Sequence, residues 1–434
     1  MNKDKYNINL INLNGVLEKL FSLHRFGIKP GLERILRILE KNGNPETKFK
    51  SVHISGTNGK GSVSAMLASI LLEAGYKVGL YTSPHLVKFN ERIQINGKMI
   101  SDDDLVRLSV KYLPESETVG ATFFEITTAI AFEYFAENEV DVAIIETGMG
   151  GRYDATNVLM PVLSVITAIS KDHSEYLGDS IEQIAEEKAG IIKKKVQVVA
   201  FDNGDIINSV IKKKAKNESA PIVFSSDNPL PKIVKYTHTF NRVVKAEFDG
   251  EMFTTHYKLA GKHQIENLRL VVGSAEKLRK VFTINAPDVE AGIEYVKDNL
   301  FFRGRSEVIN KNPLTVLDGA HNIASISSLK ETILNSKYKS NKFNILFAAM
   351  QDKDIREMIE ELEPIADSFI FTSPKTERAA KRDLFEKIAK DRKLKYTYYE
   401  DVVDAYIYAN KLRQPLLITG SFYLAGEVLN YLEY

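Results

Sequence analysis

Three glycines stand within ten residues at His53-Ile-Ser-Gly-Thr-Asn-Gly-Lys-Gly-Ser62, between a β-rich run, Ser51–Ser55, and a helical stretch, Ser62–Glu73. A strand that turns so tightly into a helix belongs in a sheet whose strands are joined by helical crossovers. Gly56, Gly59 and Gly61 let backbone N–H groups approach an anion closely, and the helix N-terminus adds a positive dipole. Lys60 is long enough to reach the β- and γ-phosphates of a nucleotide, and Ser62 resembles the hydroxyl that sits near the metal in such loops. The strict pattern G-x-x-x-x-G-K-[ST] is not met, because position 54 is Ile and Gly61 separates Lys60 from Ser62. The bland alternative is a Gly-rich turn carrying an exposed lysine.

The rest of the chain repeats the strand–helix rhythm. Helical spacing of Val16, Leu17, Leu20 and Phe21, then of Leu32, Ile35, Leu36 and Leu39, opens it. Strands are predicted at Lys77–Tyr81, Val140–Ile145 and Val162–Thr167, with a buried helix at Phe124–Ala136 and a helix capped by Ser101. Lys232–Lys258 is rich in Val, Tyr, Thr and Phe around the turn Asp249–Gly250 and reads as a small antiparallel excursion, followed by helix from about His263 to Asn299. Arg303-Gly-Arg305 reads as a linker. Beyond it strands at Thr315–Leu317, Phe343–Phe347, Ser368–Phe371 and Leu416–Thr419 alternate with helices starting near Ile323, Asp354 and Arg382. The expectation is an α/β chain. Residues 1–300 form a P-loop-type, mostly parallel sheet domain with an antiparallel excursion, and residues 301–434 a smaller Rossmann-like domain.

Composition removes several kinds of chemistry. With no cysteine among 434 residues, disulfides, thiolate catalysis and Cys-ligated metals are excluded. A net charge of +1 provides no global basic field for nucleic acid. No apolar run reaches the roughly 20 residues of a bilayer span, and the first residues lack the apolar core of a signal peptide. A cytoplasmic chain with neither a nucleic-acid nor a membrane partner is expected.

Further motifs fall at predicted strand ends, where open α/β sheets place ligands. Tyr81-Thr-Ser-Pro-His-Leu86 offers Ser83 to a hard cation or a phosphate; a plain Ser-Pro turn is the alternative. Ile145-Glu-Thr-Gly-Met-Gly-Gly-Arg-Tyr-Asp-Ala-Thr-Asn157 places Glu146 before glycines, a good position for a magnesium ligand. Ile169-Ser-Lys-Asp-His173 makes His173 a candidate metal ligand, although a lone histidine is more often a satisfied structural residue. Helical register puts Ile184, Lys188 and Ile191 on one face, burying Lys188 unless it snorkels. Gly261-Lys-His-Gln-Ile-Glu-Asn267, Asp318-Gly-Ala-His-Asn322 and Thr419-Gly-Ser421 are weak signals taken singly.

Taken together, GTNGKGS, TSPHL, E-x-G-x-G-G-R-x-D-A-T-N, DH-x-x-x-LG, EKAGI, G-x-HQ-x-x-N, DGAHN and a late TGS, in that order from about residue 15 to 430, resemble the folylpolyglutamate synthase / dihydrofolate synthase branch of the Mur ligases. The resemblance implies an ATP-dependent ligase joining L-glutamate to a folate or to dihydropteroate through an acyl phosphate. It assigns Thr57, Asn58, Gly59, Lys60, Gly61 and Ser62 to the phosphate cradle, and Asn267, Arg305, Asp318 and His321 to further nucleotide contacts. Ser83 and Glu146 would hold one magnesium ion and His173 a second. Lys188 would be an N6-carboxylysine, and Lys60, Lys188 and His173 would serve catalysis. Thr122, Phe123, Phe124 and Glu125, with Tyr153, Asp154 and Ala155, would line the pterin side, where Phe123 or Phe124 could stack on the ring. Phe124, Ala131 and Phe135 also share a helical face, so plain core remains open for these aromatics. A monomer is expected. Two departures stand out: Arg303-Gly-Arg305 replaces the family's Pro-Gly-Arg, and Glu377-Arg-Ala379 replaces Pro-Arg-Ala, which weakens any role for Arg378. A Mur-type ligase acting on a cell-wall precursor is the first alternative. The second is a non-ligating nucleotide switch, but the Asn-Lys-x-Asp guanine signature is missing.

Overall fold

The computed structural model describes residues 12–23, 27, 29–171, 177–237 and 240–433. Its first sheet has eight strands: β1 (Lys50–Ser55), β2 (Val78–Tyr81), β3 (Ile93–Ile95), β4 (Lys98–Met99), β5 (Val142–Glu146), β6 (Leu163–Ile166), β7 (Gln197–Ala200) and β8 (Ile222–Phe224). They lie in the order β4-β3-β2-β5-β1-β6-β7-β8. The six strands from β2 to β8 in that order run parallel; β3 and β4 pair antiparallel at the edge. Central strands are buried apart from Lys50 at the start of β1, as expected where both faces are covered by helices. The helix Lys60–Glu73 has buried residues all round, because it is sandwiched between the sheet and the helices Lys262–Leu278 and Ala286–Glu294.

A three-stranded antiparallel sheet follows, in the order β11 (Glu251–Tyr257), β10 (Arg242–Phe248), β9 (Lys232–Tyr236), with the predicted turn at Asp249–Gly250 between β10 and β11. The helical stretch expected over 263–299 is broken into Lys262–Leu278, Ala286–Glu294 and Val296–Asn299. Pro287, seated in the first turn of the second of these, is compatible with a helix start and not with one continuous helix.

The last sheet runs β12 (Glu307–Lys311), β13 (Leu314–Leu317), β17 (Leu416–Thr419), β14 (Phe343–Phe347), β15 (Ala366–Thr372), β16 (Tyr396–Tyr399), parallel except for the edge pair β12–β13. The linker between sheets is pinned. Arg303 ion-pairs with Glu307 and with Glu433 of the last helix, and Gly304 donates its N–H to Glu307 at 2.9 Å. Among the described residues no helix is long and apolar enough to cross a membrane.

Candidate functional site

The motifs converge because their strands are neighbours. Ile54 of β1 sits in register with Glu146 of β5, and Tyr81 of β2 with Ile145, so three loops leave the same sheet edge side by side. A fourth joins from β6: Thr57 and Asn58 donate their N–H groups to Ala168 O at 2.8 and 3.1 Å. Gly56 and Gly59 are required here. A Cβ on Gly56 would collide with Thr167, and one on Gly59, at φ +93°, would stand 2.7 Å from Asn267 Oδ1.

The resulting cleft, about 350 Å³, lies between the first and last sheets. On one wall stand Thr57–Ser62, Ser83, Glu146 and Lys188; on the other stand Arg305, Asp318 and His321, with Asn267 at the side. Every nucleotide-contact residue expected from the sequence therefore meets in one place, as do two of the three expected metal ligands. His173 lies outside the described residues. The helix bearing Lys188 ends at Ala189, so Ile191 does not extend its face as the periodicity suggested.

Lys60 Nζ donates to the carbonyls of Gly56 and Thr57, each at 3.2 Å, and stands 4.0 Å from Glu146. Glu146 accepts an N–H from Ser83 at 3.2 Å. Burial pushes its carboxyl above the usual carboxylate range, with Lys60, the Ser83 N–H, Arg305 and Arg92 pulling the other way. A buried carboxylate held no closer than 4.0 Å to its lysine, with Ser83 beside it through its backbone N–H and also lining the cleft, is an oxygen donor that suits magnesium. Lys188 is 3% exposed and donates to Gly56 O at 2.9 Å, so burial prevails over snorkelling. Its helix can come this close because Gly151 and Gly190 allow backbone contact: a Cβ on Gly151 would stand 2.7 Å from Glu187 O.

Opposite, Asp318 accepts from Ser306 N at 2.6 Å, Ser306 Oγ at 3.1 Å and Ala320 N at 2.8 Å. Burial raises its carboxyl while Arg305 opposes the shift. The Arg305 guanidinium lies over the Phe422 ring at 4.7 Å, and His321 tilts against the same ring. Phe422 was not singled out in the sequence. Its place directly after Thr419-Gly-Ser421 was the available signal.

The expected pterin wall sorts into support and surface. Glu125 closes a capping box with Thr122 and pairs with Arg34 at 3.0 Å, so its oxygens are committed. Phe123 is core, stacked on Phe21 and under Arg92. Asp154, raised by burial, accepts N–H groups from Met149 and Thr156, and Ala155 is buried. Phe124 alone of the first four is half-buried; it presses on Gly148, which lines the cleft, while Tyr153 is half exposed. Arg378 pairs with Asp352 away from the cleft.

Residues 54–275 match the Mur ligase middle domain, and residues 304–422 match the Mur ligase glutamate ligase domain. The chain is 37% identical to the dihydrofolate synthase/folylpolyglutamate synthase of Bacillus subtilis, over 94% of this chain and 96% of that protein. It is 34% identical to the folylpolyglutamate synthase of Lacticaseibacillus casei, over 91% of this chain and 92% of that one. The folylpolyglutamate synthase of Mycobacterium tuberculosis, solved with ADP and AMPPCP, aligns with a TM-score of 0.86 at 29% identity, covering 96% of this chain and 99% of that one.

Proposed function

The chain belongs to the folylpolyglutamate synthase/dihydrofolate synthase branch of the Mur ligase family, and from that premise we propose how its cleft joins L-glutamate to a folate or to dihydropteroate at the expense of ATP. The observation that carries the reading is the meeting of Lys60, Ser83 and Glu146 with Asn267, Arg305 and Asp318 across one cleft.

Amide formation needs an activated acyl group, which ATP supplies by phosphorylating the substrate carboxylate. Negative charge then spreads over the transferring phosphoryl oxygens, so the protein must supply cations and N–H dipoles, not a nucleophile. Lys60 swings from the Gly56 and Thr57 carbonyls to those oxygens, and the loop's N–H groups beyond Asn58, at the start of the helix, are available to them. Arg305 enters from the linker just before the last sheet, held over the Phe422 ring. Asp318, fixed by three hydrogen bonds, presents acceptor capacity toward the nucleotide. Glu146 and Ser83 would hold a magnesium ion and His173 a second, supplying positive charge beside the phosphates, and Lys188, as an N6-carboxylysine, would offer an anionic ligand. The glutamate amine then attacks the acyl phosphate, and phosphate leaves. Closing the cleft between the sheets keeps water from that intermediate.

Phe124 and Tyr153 offer the pterin its contact surface, and Thr122, Phe123, Glu125, Asp154 and Ala155 hold them in place. The domain boundary falls at residue 301, and the enzyme works as a cytoplasmic monomer. The test is to supply purified protein with ATP and glutamate together with dihydropteroate, tetrahydrofolate or, with its own amino acid, a muropeptide precursor. Dihydrofolate and lengthened folates by mass, with glutamate-dependent ADP release, are expected. Product from the muropeptide precursor alone would overturn the assignment.

A further inference from the structure

Ser62 opens onto the cleft from the first turn of the helix Lys60–Glu73, and its hydroxyl is not left to rotate. Gln264, 2% exposed, donates from Nε2 to Ser62 Oγ at 3.0 Å. The Gln264 amide is itself oriented, because its Oε1 accepts from Asn267 Nδ2 at 3.0 Å. Its backbone is fixed as well: Tyr257 OH donates to Gln264 O at 2.7 Å, and Tyr257 is fully buried. The three side chains thus form a directional chain, Asn267 to Gln264 to Ser62, in which each N–H donates to the next group. Gln264 consumes one lone pair of Ser62 Oγ, and Ser62 makes no other side-chain hydrogen bond among the described residues. Its O–H is left to donate, and Ser62, 2% exposed, lines the cleft.

We propose that Gln264 is a positioning residue for phosphoryl transfer, holding the Ser62 hydroxyl as a hydrogen-bond donor toward the nucleotide phosphates. This rests on the cleft being the ATP site. A donor chain of this kind polarises each successive link, so a contact made at Asn267 strengthens the donor at Ser62. Reversing the direction at Gln264 would consume the Ser62 hydrogen and turn a lone pair toward the phosphate oxygens.

Two substitutions separate this from a packing role. Gln264→Met keeps length and volume but removes the donor. Gln264→Glu keeps the acceptor for Asn267 and takes the Ser62 hydrogen. Each is compared with wild type, Ser62→Ala and the Ser62→Ala/Gln264→Met double variant, by calorimetric binding of AMPPCP with magnesium and by steady-state ligation. The expected result is that both Gln264 variants lower kcat by ~10- to 100-fold and weaken AMPPCP, with KM for folate and for glutamate unchanged. The double variant binds AMPPCP no more weakly than Ser62→Ala, since the effect runs through that hydroxyl. Wild-type behaviour of either single variant, or a further loss in the double variant equal to that of Gln264→Met alone, would overturn the proposal. Failure of wild type to bind AMPPCP would instead remove the ATP-site reading beneath it.

Discussion

Asn322 Nδ2 donates to Asn58 Oδ1 at 3.2 Å, tying the loop after β13 of the last sheet to the Gly-rich loop of the first across 264 positions of sequence. Asn322 is also the N-cap of the helix Ile323–Leu334, its Oδ1 accepting from Ser325 N at 2.9 Å. One side chain therefore starts a helix and latches the cleft.

The two roles are separable. Asn322→Ser keeps a good cap but falls short of Asn58. Thermal stability should stay close to wild type, while kcat falls by about 2- to 10-fold, the worth of one net hydrogen bond of ~1 kcal/mol. Calorimetry and steady-state ligation check this; a large loss of Tm with unchanged kcat would make Asn322 a cap alone.

Glu146 is costly to keep ionised. Because its folded carboxyl is raised above the ordinary 4.5, its favourable contribution is present below that value and lost as pH rises through the folded value. In magnesium-free buffer, Glu146→Gln should melt higher than wild type at pH 8, with the gap closing toward pH 4, and it should be inactive in ligation. A variant that is destabilised at pH 8 would contradict the sign.

Gly426 lies inside the helix Phe422–Glu433, where alanine would ordinarily be the better helix former. Here an added Cβ would run into the carbonyl oxygen of Leu86, in the loop that also carries Ser83. Gly426→Ala should cost ~1–3 kcal/mol by overpacking and should raise the magnesium concentration needed for half-maximal activity. Melting curves and a magnesium titration measure both; a stabilised variant would show that the loop yields freely.

His53 is fully buried, with Nε2 2.8 Å from Thr156 Oγ1, whose own hydrogen goes to Asp154. The imidazole therefore donates from Nε2. Burial, helped by Lys193, lowers its pKa to about 3. Its contribution to stability is complete above the ordinary 6.5 and is lost as pH falls from there toward 3. Wild type should lose stability more steeply than His53→Gln between pH 6.5 and 4 in chemical denaturation. Parallel slopes would rule out His53 as a source of acid sensitivity.

Local sequence carried much of the outcome. Glycines at 56, 59 and 61, with Lys60 among them, determined a tight strand-to-helix loop, and alternating strand and helix periods determined two mostly parallel sheets, because both signals depend on neighbours within a few residues. The short strands β3, β4, β7, β8, β12 and β16 were not legible, since runs of two to five residues at or near sheet edges carry little periodicity. The sequence also named Glu146, Ser83, Asn267 and Asp318, but as separate motifs. Their meeting was decided by strand order, which places β2, β5, β1 and β6 side by side, and by the packing that stands the last sheet's loops opposite. Tertiary packing alone committed Glu125 to Arg34, laid Arg305 on Phe422 and joined Gln264 to Ser62. Such partnerships span up to about two hundred residues and depend on which groups are buried together. Burial, not residue type, fixes whether a carboxylate, a lysine or an amide is free to meet a ligand.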